Sequence, residues 1–303
     1  MAGATVENAS AFAADQPKVN SCLQVNMGTA IMCLALSVRD NDAQAIIHDM
    51  SPEFIILLPL TFIAAVLNAA VGGGGLVLIP GMLTLYPGVT PASLLATEKC
   101  ASAVGQATAA QQYARRMALP WRLVLLTAAM AFAGAHLGAR VIAVLPGHWI
   151  KPFVVVLLVV MLLYTWFRPE FGARDTQQPI SRRDLARGLG LGTAIGFYEG
   201  FFGPGAGSFL IFLFVRVFHF DFMRATACAK VVNMASNLGA LAYFIPAGFV
   251  HPELALPMMA TMIAGSYVGS HLAMRGGNKW LRRLFLVLVL SLLAKLISDI
   301  LRG

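Results

Sequence analysis

The chain has 303 residues, of which 58% are hydrophobic and only 12% are charged. Soluble domains carry about 25% charged residues and need them to cover a surface in water. The composition therefore excludes an ordinary soluble enzyme and a disordered chain, and it favours an all-α, polytopic helical membrane protein. The formal net charge of +8 does not indicate a nucleic-acid partner, because the basic residues fall in short loops, where they report topology.

The N-terminal stretch, residues 1–50, differs from the rest of the chain. Most of its charged residues are aspartate or glutamate, and no basic segment precedes its mildly apolar part at 22–38. That part is a poor signal peptide and a marginal membrane span. We interpret residues 1–50 as a loose tail, or as an upstream start codon with the true start near Met27 or Met50, and we expect residues 1–49 to be dispensable.

Nearly continuous apolar segments fill the sequence from residue 54 onward. Segments of about 20 residues can cross a bilayer as helices, but two of these are short, and a glycine-rich break precedes each short one. Within a membrane such a break is tolerated only beside a cavity or inside protein. The predicted segments are 54–71, 75–86, 92–113, 123–145 and 150–167, then 188–203, 206–218, 225–245, 254–274 and 284–301.

The two sets of segments form an internal repeat. A single offset of 131 residues aligns them without a gap and pairs Gly72 with Gly203 and Lys99 with Lys230. One shift that matches rare residues over such a distance indicates duplication. We therefore divide the membrane domain into repeat 1 (51–167), a cytoplasmic linker (168–187) and repeat 2 (188–303).

The basic residues predict that the two repeats are inverted in the membrane. Each basic loop of one repeat corresponds to a loop of the other that is poor in Lys and Arg, and by the positive-inside rule the two repeats then have opposite orientations. Inverted repeats with broken helices are typical of secondary transporters, which bind substrate between the repeats near the midplane. The predicted cytoplasmic segments hold 14 of the 22 basic residues: Arg115, Arg116, Arg122, Arg168, Arg174, Arg182, Arg183, Arg187, Arg216, Arg224, Arg275, Lys279, Arg282 and Arg283.

The third segment of each repeat carries a polar face. The spacing i, i+3, i+7 places each set of three side chains on one side of a helix. A lysine inside a membrane is costly unless it is paired, so two symmetry-related lysines could compensate a transported anion. The alternatives are a structural Lys–Glu ion pair and a lysine that snorkels to the interface. The two faces consist of Lys99, Ser102 and Gln106, and of Lys230, Asn233 and Asn237.

Two glutamates lie near these faces. Glu199 precedes Gly203 by about one turn and could carry a proton for coupled transport; a structural pairing with Lys230 or Lys99 is an equal alternative. Glu98 lies about 100° around the helix from Lys99, and we expect it to lock that helix to a neighbour.

The glycine breaks allow two interpretations. New helix N-termini at Gly74 and Gly75, and at Gly205 and Gly207, could direct amide donors at an anion, or the glycines could only permit close helix crossing. Neither run is followed by the Gly-Lys-Ser/Thr of a phosphate-binding loop. Two Gly-xxx-Gly pairs, Gly134 with Gly138 and Gly265 with Gly269, are predicted to be helix-packing faces.

The motifs also resemble a known family. The runs NAAVGGGGLVLIPGML, GFYEGFFGPGAGSFL and ATACAKVVNMASN are similar to those of the TauE/SafE sulfite-exporter-like family, with the greatest likeness to its YfcA-like branch. The resemblance covers about residues 54–301. It implies a transporter of small, often sulfur-containing anions in the bacterial inner membrane.

Together these observations predict a multi-pass inner-membrane secondary transporter, an exporter, of a small sulfur-containing anion such as sulfite or an organosulfonate. Its predicted partners are that anion and the lipid bilayer, without nucleic acid, cofactor or metal; homo-oligomers are left open. A passive anion channel is the alternative. A membrane-bound sulfur-transfer component is less favoured, because the sequence offers no His/Cys/Asp grouping for catalysis.

Overall fold

The computed structural model describes residues 52–144 and 180–276. Within these ranges the chain forms helices and no strands, as predicted, in two sets of four. The helices are α1 (Pro52–Val71), α2 (Gly75–Leu85), α3 (Pro91–Ala114), α4 (Trp121–Val144), α5 (Arg182–Phe201), α6 (Ala206–Phe218), α7 (Phe222–Phe244) and α8 (252–276, to the end of the described range). The predicted segments 150–167 and 284–301, and the N-terminal tail, lie outside the described residues.

Side-chain caps define where three of these helices begin. Thr90 caps α3 by accepting from the amide of Ser93, and Asp221 caps α7 by accepting from the amide of Arg224. Positions 90 and 221 are related by the 131-residue offset. A reciprocal capping box at Ser181 starts α5 at Arg182, so the last residues of the predicted linker are helical; the sequence pattern missed this start because a charged first turn carries no apolar signal.

A glycine with positive φ ends the first helix of each set. Gly72 has φ +77° and Gly203 has φ +98°. This left-handed conformation is unfavourable for residues with a Cβ atom by about 1–2 kcal/mol. The chain leaves α1 and α5 here and re-enters a helix within a few residues, which produces the two predicted breaks.

The helices of the two repeats pack on each other reciprocally. Gly134 of α4 lies directly against the backbone of Thr193 in α5, and Gly265 of α8 lies against the backbone of Phe62 in α1. The two contacts are related to each other by the 131-residue offset. The prediction that both Gly-xxx-Gly pairs are packing faces is confirmed, because a Cβ atom at any of the four glycines would collide with the facing helix.

The outer surface of the bundle is apolar. Large hydrophobic side chains of α1 and α4, among them Ile55, Ile63 and Leu137, are more than half exposed. Among the described residues, Glu53–Val71 and Trp121–Val144 are long and apolar enough to cross a membrane, and both are less than half buried in the protein. In a water-soluble protein such patches would favour aggregation; in a bilayer they face lipid.

Candidate functional site

The two polar helices α3 and α7 pack against each other at the centre of the bundle. Lys99 and Lys230 are 1% and 0% exposed. Because membrane helices rarely bury charge without a function or a partner, the surroundings of these lysines define the candidate site.

A polar cavity lies between α3, α7 and the two breaks. Its volume is about 20 Å³, which is room for about one water-sized group. Its lining consists of Asn68, Gly72, Gly75, Ile79, Glu98, Ser102, Gln106, Glu199, Gly203, Gly205, Gly207, Asn233 and Asn237.

The two glycine breaks meet at this cavity. A Cβ atom at Gly72 would lie 2.6 Å from the amide nitrogen of Ser208, so the two backbones touch. The Ser208 hydroxyl donates to the carbonyl of Val71, the last residue of α1, over 2.9 Å. One repeat thus satisfies a carbonyl that the break in the other leaves without a helical partner.

Lys99 contacts the break of the opposite repeat. Its Nζ lies 3.7 Å from the Glu199 carboxylate, and a Cβ atom at Gly203 would come within 2.7 Å of that Nζ. Within the described part of the chain, this ammonium group has an ion pair but no hydrogen bond. The structural alternative for Glu199, a pairing with a buried lysine, is therefore realised with Lys99.

Lys230 makes the equivalent contact with the break of repeat 1, but its partner is a backbone carbonyl and not a carboxylate. Its ammonium group donates to the backbone carbonyl of Asn68 in the last turn of α1. Asn68 corresponds to Glu199 under the offset of 131 residues. A cation at the C-terminal end of a helix is favoured by the helix dipole, so Lys230 stabilises the break itself. Neither lysine is among the lining residues; both lie directly behind them.

The other predicted side chains converge as expected. Ser102 and Gln106 from α3 face Asn233 and Asn237 from α7 across the cavity. Of the four predicted glycines, Gly75, Gly205 and Gly207 line the cavity. Gly74 does not: it packs against α1, where a Cβ atom would collide with the Ala64 carbonyl.

Glu98 is the site residue that the sequence reasoning missed. The expectation that it locks α3 to a neighbouring helix was wrong: its carboxylate lines the cavity and accepts from the Ser102 hydroxyl of its own helix. The signal was available, since Glu98, Ser102 and Gln106 have the spacing i, i+4, i+8, which shares a helical face as well as the spacing from Lys99 does.

The described residues contain no cluster of three or more His, Cys, Asp or Glu side chains that could hold a metal ion. Neither Cys100 nor Cys228 forms a disulfide within the described residues, and the Sγ of Cys100 lies 3.9 Å from the Sδ of Met259. This arrangement offers buried charge, amides and a hydroxyl, which can bind and release an ion.

Comparisons with known proteins agree with this geometry. The sequence profile described as "Sulfite exporter TauE/SafE" matches residues 57–296. The chain belongs to this family. It is therefore a multi-pass membrane transporter and not an enzyme, and the resemblance found in its motifs is confirmed.

Relatives from several bacteria cover nearly the same region. "Probable membrane transporter protein ORF9" of Sinorhizobium is 35% identical over 80% of this chain and 92% of its own. "Probable membrane transporter protein YfcA" of Escherichia coli K12 is 32% identical over 80% and 89%. A "Probable membrane transporter protein" of Haemophilus influenzae is 32% identical over 80% and 94%. No solved structure matches the chain.

Proposed function

We propose that this protein is a secondary transporter that exports a small sulfur-containing anion, such as sulfite or an organosulfonate, across the bacterial inner membrane. The observation that carries the proposal is the meeting of both glycine breaks and both polar helices at one buried polar cavity. The description of the matching family as a sulfite exporter supports the substrate class and the direction.

The site has the charges that anion transport requires. Lys99 and Lys230 place two ammonium groups directly behind the lining, opposite the carboxylates of Glu98 and Glu199. These four buried charges sum to zero when all are ionised. An incoming anion is therefore compensated only if one lysine gives up its carboxylate partner. Lys99 is that lysine, because its contact to Glu199 is a 3.7 Å ion pair without a hydrogen bond.

Glu199 couples that release to a cation. A proton on its carboxylate removes the negative charge that holds Lys99 and leaves the ammonium group for the anion. Ser102, Gln106, Asn233 and Asn237 then orient the anion's oxygens through their hydroxyl and amide groups. The backbone amides of Gly75 and Gly207, at the starts of α2 and α6, add donors, whereas the amides of Leu76 and Ala206 already donate to carbonyls of the breaks.

The two repeats are inverted, which lets one site face either side of the membrane in turn. The unequal distribution of Arg and Lys between equivalent loops supports this arrangement, and so do the reciprocal contacts of Gly134 and Gly265.

Cysteine labelling in intact cells tests the orientation of the protein in the membrane. In a cysteine-free background, we expect an impermeant maleimide to label Gly88→Cys and Ala247→Cys, which lie in exposed loops, and to spare Arg183→Cys at the exposed start of α5. Permeabilised cells provide the control, since all three positions should then react. Labelling of Arg183→Cys alone in intact cells would contradict the proposed orientation.

Transport in proteoliposomes tests the function. We expect inward-driven accumulation of a sulfur oxyanion or sulfonate above its external concentration when a pH gradient is imposed, and little accumulation of carboxylates. Everted membrane vesicles should accumulate the same anion if the physiological direction is export. Thr226→Val is a matched control, because Thr226 is buried in α7 and bonds only to its own helix. Equilibration without accumulation would instead identify a passive channel.

A further inference from the structure

Most of the unpartnered polar atoms around the cavity are acceptors, and the exception is the Lys99 ammonium group directly behind the lining. Within the described part of the chain, four buried oxygens of lining residues have no hydrogen-bond partner: Gln106 Oε1, Glu199 Oε2, Asn233 Oδ1 and Asn237 Oδ1. Their residues are 6% exposed or less. A buried acceptor without a partner costs about 1–3 kcal/mol, so this group calls for a ligand that accepts electron pairs.

An anion alone does not meet this requirement. Its own oxygens need donors, and they would be repelled by the carboxylates of Glu98 and Glu199, both of which line the cavity. A single proton does not meet it either, because it can satisfy one carboxylate and leaves the amide oxygens unpaired. Several converging oxygen ligands suit a hard metal cation.

The charge balance selects a monovalent cation. Glu98 and Glu199 are offset by Lys99 and Lys230, so the buried site is neutral before any ligand enters. With a monovalent anion such as a sulfonate, one cation of charge +1 keeps the site neutral, whereas a divalent cation would leave a net charge that the membrane interior disfavours. Ca²⁺ also prefers six to eight oxygen ligands, often several carboxylates, and the described residues hold no cluster of three acidic or metal-ligating side chains.

We propose that the cavity contains a binding site for a monovalent alkali cation, Na⁺, with Glu199 as its anionic ligand and Gln106, Asn233 and Asn237 as its neutral oxygen ligands. A proton on Glu199 competes with this ion. The inference rests on the proposed function in one respect: the bound cation compensates the transported anion, so that both cross together.

Direct binding of ²²Na⁺ to the purified full-length protein in detergent tests the site without any sulfur anion present. Choline chloride keeps the ionic strength constant. At pH 8 we expect saturable Na⁺ binding, which weakens at least tenfold in Gln106→Met and in Asn237→Ala. Thr226→Val, on the same helix as Asn237 but with its hydroxyl bonded to the Phe222 carbonyl, should bind as the wild type does.

A gain-of-affinity variant separates ligation from a structural role. Asn237→Asp places a second carboxylate among the ligands and should tighten Na⁺ binding at pH 8, an effect that a merely structural asparagine would not produce. Lowering the pH to 6 should weaken binding in the wild type, since protons compete at Glu199. Absence of saturable Na⁺ binding in the wild type, or equal binding in Gln106→Met and Asn237→Ala variants that remain folded by size-exclusion chromatography, would overturn the proposal.

The two proposals fail separately. If Na⁺ does not bind but proteoliposomes still accumulate the sulfur anion, the cation site is refuted and the transport function stands. If Na⁺ binds and no anion is transported, the site stands and the proposed substrate class is refuted.

Discussion

The two repeats have the same backbone plan but different chemistry where their helices break. Gly72 and Gly203 occupy equivalent positions with positive φ, and each break receives a lysine from the other repeat. In repeat 2 the receiving residue is Glu199, which forms an ion pair with Lys99; in repeat 1 it is Asn68, whose backbone carbonyl accepts from Lys230. A symmetric scaffold thus carries one ionisable contact and one fixed contact.

This difference separates the roles of the two lysines. The contact of Lys230 uses a main-chain carbonyl, which does not itself ionise. The contact of Lys99 depends on the charge of a carboxylate that lines the cavity. We expect repeat 1 to provide the rigid break and the Lys99–Glu199 pair to provide the step that responds to ligands.

The largest expected difference between the repeats is in the stability of variants that each lack one lysine. Lys99→Gln leaves the buried Glu199 carboxylate unpaired, and loss of one partner of a buried pair costs about 3–5 kcal/mol. Lys230→Gln removes one of two donors to the Asn68 carbonyl, which keeps its bond from the Gly72 amide, so its cost should be smaller. Thermal unfolding in detergent should rank the two variants in this order, and both should lose transport.

Double variants distinguish an anion-compensating lysine from a structural one. Lys99→Gln with Glu199→Gln removes both charges and should recover most of the stability while transport stays absent. Lys230→Gln with Glu199→Gln should recover little. Lys99→Arg keeps the charge but alters its shape and donor geometry, and should restore transport poorly. Substantial transport in the Lys99→Gln, Glu199→Gln protein would count against Lys99 as the group that compensates the anion.

Making repeat 2 resemble repeat 1 tests where the coupling resides. Glu199→Asn places the residue of position 68 at position 199 and removes the only carboxylate paired with a lysine among the described buried residues. We expect cation-driven accumulation to be lost while exchange of labelled for unlabelled anion continues. Accumulation at the wild-type level would show that coupling lies elsewhere.

Alanine at the two break glycines should have unequal effects. Both substitutions carry the left-handed strain of about 1–2 kcal/mol. At Gly72 the new Cβ would also lie 2.6 Å from the Ser208 backbone nitrogen, whereas at Gly203 its nearest neighbour is the Lys99 Nζ at 2.7 Å, the end of a flexible chain. Unfolding temperatures should therefore fall further for Gly72→Ala. Gly203→Ala should disturb transport more than stability.

The helix caps at equivalent positions should give the smallest difference. Loss of an N-cap side chain costs about 0.5–2 kcal/mol. The Asp221 carboxylate accepts from the Arg224 amide over 2.7 Å, and the Thr90 hydroxyl accepts from the Ser93 amide over 3.3 Å. We expect Asp221→Ala to destabilise the protein more than Thr90→Ala, by a few tenths of a kcal/mol to about 1 kcal/mol, with transport retained in both. Equal unfolding temperatures would contradict the ranking.

The sequence alone determined the class of the protein, its breaks and most of the residues that line the candidate cavity. Low charge and long apolar segments require a bilayer as solvent, because no aqueous surface could be built from them. The offset of 131 residues paired Lys99 with Lys230 and the break glycines with each other, and helical spacing placed Ser102, Gln106, Asn233 and Asn237 on the polar faces that line the cavity. These properties depend on composition, on the repeat offset and on helical spacing, all of which can be read directly from the sequence.

Only the tertiary structure decided which partner each buried charge has. Lys99 and Glu199 are 100 residues apart in sequence. The spacing of residues within a single helix does not reveal that a lysine of one repeat contacts the break of the other. For the same reason Glu98 was assigned to a neighbouring helix, although its carboxylate faces the cavity, and Gly74 was assigned to the site, although it packs on α1. Helical periodicity fixes the direction of a side chain to within a fraction of a turn, but what lies in that direction depends on how the helices pack.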